Sequence, residues 1–168
     1  MEQGKIFYAK TRDVYIIKLV GDVRYTTSVS LDSFLNKLFR AKHFNNIIID
    51  LTEATNVDST TLGLLAKIAN FVQTKLIKHP VIVSTNPDIN KILTSICFDK
   101  IFLIISDSKD DLDKLTTVPD VTITDAETAR IILEAHQNLM SIDEENRHMF
   151  KDVVSAFETE VSQTKFKF

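Results

Sequence analysis

With 168 residues, 44% of them apolar and 26% charged, the chain has the size and make-up of one globular domain with room for a short appendage, and disorder throughout is excluded. Its formal net charge of −3 leaves no basic footprint for nucleic acid. The three glycines, Gly4, Gly21 and Gly63, lie too far apart to build a phosphate-cradling loop, which sets the common nucleotide-binding folds aside.

Charge is unevenly spread. Residues 1–120 hold 15 Lys and Arg against 14 Asp and Glu, whereas residues 121–168 hold 5 against 9, so the tail reads as a different kind of segment. Cys97 is the only cysteine, which excludes an internal disulfide and a cysteine-rich zinc site. Its setting, Ser95-Ile96-Cys97-Phe98, suits a buried, inert thiol. The start, Met1-Glu2-Gln3-Gly4-Lys5, has no apolar stretch of a secretory signal, and no apolar run approaches the ~18 residues of a membrane span. A cytoplasmic protein is expected.

Taken in chain order, Ile6–Ala9 and Val14–Val20 predict a β-hairpin, with Gly21-Asp22 ending the second strand. Ser28 or Ser30 is expected to cap a helix whose apolar face is Leu31, Phe34, Leu35, Leu38 and Phe39. After Asn45-Asn46, the β-branched run Ile47–Leu51 reads as a strand buried on both faces, as in a mostly parallel sheet. Thr52–Val57 is expected to be a polar loop. A helix over Ser59–Ile77 would turn Leu62, Leu65, Ala66, Ala69 and Val72 inward. Val81–Val83 is a further buried strand, and Asn86-Pro87 opens a helix lined by Ile89, Ile92, Leu93 and Ile96. Ile101–Ile105 is the expected last strand, and Lys109–Leu115 a short closing helix. Strands alternating with helices make residues 1–118 an α/β domain.

Residues 119–168 read as a helical extension. Val118–Ile123 is a connector, and two capping boxes follow, Thr124 with Glu127 and Ser141 with Glu144. The first opens a helix with Ala129, Ile132, Leu133, His136, Leu139 and Met140 on one stripe. The second opens one with Met149, Phe150, Val153, Val154, Phe157 and Val161. These are two helices or one bent near Ser141. Their stripes must pack on the α/β domain, on a partner or on a second copy of the chain, so a homodimer through this extension is one expectation. Phe166-Lys167-Phe168 is expected to fray.

The segment with most chemical content is Asp50-Leu51, a short loop, then Val57-Asp58-Ser59-Thr60-Thr61-Leu62-Gly63. Asp58 suits a helix N-cap, which would make Ser59 the first helical residue, beside unpaired amides and the positive dipole end. Such a place favours a phosphate, and a phosphate beside Asp58 would repel a partner without refolding. The plainer reading of Asp58, Ser59, Thr60 and Thr61 is a set of cap residues.

This strand-loop-helix segment resembles the signature of the STAS domain, the family of bacterial anti-sigma factor antagonists. The resemblance spans roughly residues 5–115 and includes Gly21-Asp22 after the second strand and the Asn86-Pro87 helix start. Thr61 departs from it, standing where the family usually has glycine. The tail is similar to the helical C-terminal extension of a subgroup of these antagonists. The resemblance implies a STAS-like mixed sheet flanked by helices, with phosphorylation at Ser59 and Thr60 as fallback acceptor. It implies a partner surface over Asp22, Asp58, Ser59, Thr60, Thr61 and Leu62. The partner would be an anti-sigma factor, often a serine kinase of GHKL type, bound while Ser59 is unmodified. A PP2C-type phosphatase would restore binding. The alternative is a STAS-type sensor or scaffold that binds a small ligand or a signalling enzyme, with the tail as docking element.

Other candidates carry less. His43 and His79 sit at expected helix ends. Glu145 and His148 form a single Glu-x-x-His, too little for a metal site. His136, on an apolar stripe, reads as a packed or interface residue. Asp107, Asp110, Asp111 and Asp113 lack the spacing and central glycine of a calcium loop. Ser59 has no histidine near it in sequence and no nucleophile elbow, so neither an enzyme nor a cofactor is expected.

Overall fold

A computed structural model describes residues 3–41, 43–107 and 114–165. It shows a six-stranded mixed sheet with helices packed against it and a helical hairpin at the C-terminal end. The strands are β1 (Lys5–Thr11), β2 (Val14–Val23), β3 (Asn46–Val57), β4 (Val81–Val83), β5 (Leu103–Ile105) and β6 (Thr116–Thr117). The helices are α1 (Tyr25–Ala41), α2 (Ser59–Phe71), α3 (Pro87–Ser95), α4 (Asp125–Met140) and α5 (Glu144–Lys165). Sheet order is β5-β4-β3-β2-β1-β6, antiparallel where β1 meets β2 and β6, and parallel from β2 to β5. No described helix is long and apolar enough to cross a membrane.

The central strands follow their side-chain pattern. Ile47, Ile49 and Leu51 share one face of β3 and are fully buried, as are Ile17 and Leu19 on the neighbouring β2. On the opposite face Asp50 is buried, as are Ile16 on β2 and Val83 on β4, while Ile48 is half-buried and Lys18 pairs with Asp50 and Glu53. The Ile47–Leu51 run is thus covered on both faces, as expected, with Ile48 the one half-exposed position.

Two boundaries shift where long-range pairing extends the strands. β3 runs to Val57, so Thr52–Val57 is strand and not loop, with Ala54 and Val57 buried. Likewise β2 continues through Gly21-Asp22 to Val23. The parallel register slips between Lys18 and Val20 and again between Gly21 and Asp22, where Gly21 has φ 77°, open to glycine without strain.

Helix α1 begins at Tyr25, a turn before the expected Ser28 or Ser30 cap. The cap comes from far along the chain: Asp58 Oδ2 accepts the Tyr25 amide at 2.7 Å. Ser28 and Ser30 are buried inside the helix, and Ser30 Oγ accepts the Val121 amide of the connector instead. The long helix expected over 59–77 is α2 plus a π-helical turn, Val72–Leu76, ending at Ile77 in the left-handed region. Leu62, Leu65, Ala66, Ala69 and Val72 are buried as expected, and so are Leu64 and Ile68. Lys67 bonds Asp32 at 2.9 Å and Asn36 at 2.7 Å, tying α2 to α1.

Asn86 caps α3 through the Asp88 amide, with Pro87 at the first helical position. Cys97 is buried, and burial pushes its thiol pKa up, with Asp143 adding to the shift. The expected last strand begins two residues late, at Leu103, after a 3-10 turn over Phe98–Lys100. It forms one edge of the sheet, with Leu103 and Ile105 exposed. Just before the connector lies a short strand that periodicity does not reveal: β6 pairs Thr116 and Thr117 with Tyr8 and Phe7 on the other edge. Residues 109–113 of the expected closing helix, with the acidic positions Asp110, Asp111 and Asp113, and Phe166-Lys167-Phe168 lie outside the described residues; Lys114 and Leu115, its last two positions, are not helical.

In the extension the first capping box is complete: Glu127 donates its amide to Thr124 Oγ1, and the Thr124 amide donates to Glu127. The second is corrected. Ser141 ends α4, its hydroxyl donating to the Asn138 carbonyl, and Asp143 caps α5 by accepting the Glu145 amide at 2.9 Å. Two separate helices result, and they fold back onto the domain. Leu139 and Phe150 join the same core cluster as the sheet and α2.

Candidate functional site

The carboxyl ends of β2 and β3 lead directly into α1 and α2, so two helix N-termini meet at one end of the sheet. This is the end where open α/β sheets place their sites. Asp58 occupies the junction. Its Oδ1 accepts the Thr61 amide at 2.9 Å and the Thr61 hydroxyl at 2.7 Å, while Oδ2 accepts the Tyr25 amide. One carboxylate thus satisfies orphan donors of two helices. Thr61, fully buried, has a use for its side chain that glycine at that position would lack.

Asp22 lies on the same rim. Its carboxylate accepts from Asn56 Nδ2 at 2.9 Å and from Arg24 Nε at 2.9 Å. The Asn56 hydrogen bond, followed by Arg24, holds its pKa below the usual carboxylate value. The Asp58 amide in turn donates to the Val23 carbonyl at 3.2 Å. Asp22 and Asp58, expected to share a surface, are brought to one edge by this pairing.

Ser59 is the first residue of α2 and is half-buried. Its Oγ lies 2.9 Å from Nε2 of His136 on α4, 77 residues away. The Ile132 carbonyl, an acceptor only, lies 2.7 Å from His136 Nδ1. In the neutral ring the proton therefore sits on Nδ1, and Nε2 accepts the Ser59 hydroxyl. The imidazole is 4% exposed and packs against Phe150 and Phe157, with ring centroids at 5.8 and 6.5 Å. His136 is packed, as expected; its pairing with Ser59 is what sequence reasoning missed. The available signal was a polar residue on an apolar stripe, since a buried polar group requires a partner.

A serine hydroxyl donating to a histidine resembles a nucleophile and its base. Here the ring is sealed under aromatic side chains, and a substrate would have no access to it while the hairpin is in place. Thr60, Thr61 and Leu62 are likewise buried with α4 in position. On α5, by contrast, Met149 and Val153 are exposed.

The close approach of α4 depends on Gly63. A Cβ there would stand 2.2 Å from the Ala135 carbonyl oxygen and 2.7 Å from its Cα, so only glycine lets the two backbones meet. Asn138 donates to the Gly63 carbonyl at 3.4 Å. Elsewhere, Cys97, Asp143 and Glu145 place ligand atoms within 4.8 Å of one another, but Asp143 is already engaged by Lys100. The Glu145-x-x-His148 pattern does not close: His148 is exposed and faces Glu144 at 3.7 Å.

A family model described as the STAS domain matches residues 6–112. Among solved structures, the chain is similar to one titled as the anti-sigma factor antagonist SpoIIAA in its unphosphorylated form. The TM-score is 0.52 at 14% identity, covering 61% of this chain and 88% of that one. No curated protein matches the sequence. The fold of that structure agrees with the mixed sheet and flanking helices described above, and the family match extends over most of the chain. This chain belongs to the STAS domain family.

Proposed function

We propose that the protein is an anti-sigma factor antagonist: a cytoplasmic, non-enzymatic binding module switched by phosphorylation at Ser59. Unmodified, the surface around Asp22, Asp58 and Ser59 binds an anti-sigma factor, itself a GHKL-type serine kinase, and so releases a sigma factor. Phosphorylation of Ser59 ends that binding, and a PP2C-type phosphatase restores it. Thr60 is the fallback acceptor, and Thr60, Thr61 and Leu62, buried under α4, complete the surface once uncovered.

The observation that carries this reading is the position of Ser59. It directly follows Asp58 at the N-terminus of α2, in the segment that matches the family signature, at the carboxyl end of the parallel strands. A phosphate there adds nearly two negative charges beside an existing carboxylate, which makes the rim strongly anionic. Affinity capture with the full chain tests it. Ser59→Ala is expected to retain the kinase partner, and Ser59→Asp to retain about tenfold less or lower still, as expected when like charges meet at an interface. Equal capture by the two variants would remove the switch.

A second reading, a ligand-binding sensor, is favoured by one feature. A groove of about 340 Å³ runs between α1 and the connector, with Tyr8, Tyr15, Phe34, Lys37 and Pro119 among its walls. Removal of the Lys37 charge, as Lys37→Ala, would weaken an anionic ligand there and leave capture of the kinase unchanged.

A further inference from the structure

The site proposed above is not vacant. The hydroxyl expected to take a phosphate is held by a histidine of the same chain, and the first turns of α2 lie under α4. We infer that the α4–α5 hairpin is a displaceable cover on the Ser59 surface: it competes with whatever docks there, and a phosphate on Ser59 expels it. This inference rests on the reading of Ser59 as phosphoacceptor and adds a closed state to it.

Three observations support the cover. Ser59 Oγ and His136 Nε2 are 2.9 Å apart, which leaves no room for a phosphorus and its three oxygens between them. The ring cannot retreat, because Phe150 and Phe157 pack against it from α5 and its other nitrogen is bound to the Ile132 carbonyl. Making room for the group means lifting α4 off α2, because at Gly63 the Ala135 backbone rests directly on the α2 backbone. A dianion placed here would also stand beside Asp58, whose carboxylate is fixed by three hydrogen bonds.

The hairpin is tethered at both ends of α4, as a displaceable cover requires: the connector before it is held by the Val121 amide on Ser30 Oγ. At its turn it is held by polar bonds. Asn146, fully buried, donates to the Ile96 carbonyl at 2.8 Å and to the Leu139 carbonyl at 3.0 Å. Lys100 pairs with Asp143 close by. Over Ser59, contact is made by the Ala135 backbone on Gly63, the packed His136 ring with its one hydrogen bond to the hydroxyl, and the long Asn138 bond, with Ala129 and Leu133 of α4 buried beside them. Release of α4 from α2 with the turn still attached uncovers Ala129 and Leu133 as well as Ser59, and a covering segment of the same chain competes at high effective concentration. Only the open fraction of molecules is then competent to bind, and apparent affinity falls by that fraction.

Amide hydrogen exchange on the full chain tests the cover without any partner. Failure of the kinase reading in the capture experiment would leave this readout untouched, so the two can fail separately. Three proteins are compared: the unmodified chain, the chain synthesised with phosphoserine at position 59, and Ala135→Leu, which wedges α4 away from Gly63 without adding charge. In the unmodified chain the α4 amides are expected to exchange as slowly as those of β2 and β3. Phosphoserine and Ala135→Leu should each speed α4 exchange about tenfold or more while β2 and β3 stay protected, as local opening requires. Unchanged or slower α4 exchange in the phosphoprotein would overturn the inference, whatever the wedge does. If Ala135→Leu also unprotects β2 and β3, the phosphoprotein alone decides.

Discussion

Asp58 shows how much one side chain can organise. Three hydrogen bonds from two helices end on its carboxylate, so Asp58→Ala orphans the Tyr25 and Thr61 amides together. With charge-assisted hydrogen bonds of ~1.5–3 kcal/mol and single caps near 1 kcal/mol, a loss of about 2–3 kcal/mol is expected. Urea denaturation would measure it, and a loss below about 0.5 kcal/mol would show the caps to be replaceable by water. The cap on α2 was legible, because an Asp directly before an apolar run is a local signal. The cap on α1 was not: the donor sits at 25 and the acceptor at 58, so local reading assigned the role to Ser28 or Ser30. The Ser59–His136 pair escaped for the same reason, two residues in different elements joined only by tertiary packing.

Among the elements, the two capping boxes separate what sequence patterns do from what geometry does. Both Thr124-x-x-Glu127 and Ser141-x-x-Glu144 fit the pattern, yet only the first forms. Thr124→Ala is expected to destabilise the chain by about 1 kcal/mol and Ser141→Ala by less than about 0.5, measured as paired shifts in urea midpoint. Asp143 does the work at the start of α5, and its pairing with Lys100 sets a pH window. Lys100 and the Glu145 amide lower the Asp143 pKa, and Asp143 raises that of Lys100. A lowered carboxyl contributes fully above its ordinary value of 3.8 and fades as pH falls through its own lower value. A raised ammonium contributes fully below its ordinary 10.5 and fades as pH rises through its higher value. The pair therefore holds the hairpin across the range between, and Asp143→Asn should remove the part of the acid-induced loosening of α5 that this carboxyl causes, followed by hydrogen exchange. Strand ends were the least legible elements. Thr52–Val57 looks polar and loop-like, but pairing with Val20–Val23 makes it strand.

For the whole molecule, the order of strands and helices and the family signature were readable because hydrophobic periodicity and the Val57–Gly63 segment are local. The destination of the C-terminal stripes was not, since an amphipathic face does not say what covers it. The structure places α4 on α2, and in retrospect two features are consistent with it: α2 is apolar almost all round, and Gly63 sits where a second backbone must come close. The molecule thus combines a phosphoacceptor candidate with a covering segment in one chain. In the proposed reading Ser59 is the residue through which this protein is controlled. Phosphosite mapping by mass spectrometry of the full chain recovered from the cells that make it tests this most directly. A single phosphate, on Ser59, is the expected result. A chain found unmodified under all growth conditions, or carrying its phosphate away from the Asp58–Thr61 turn, would contradict it.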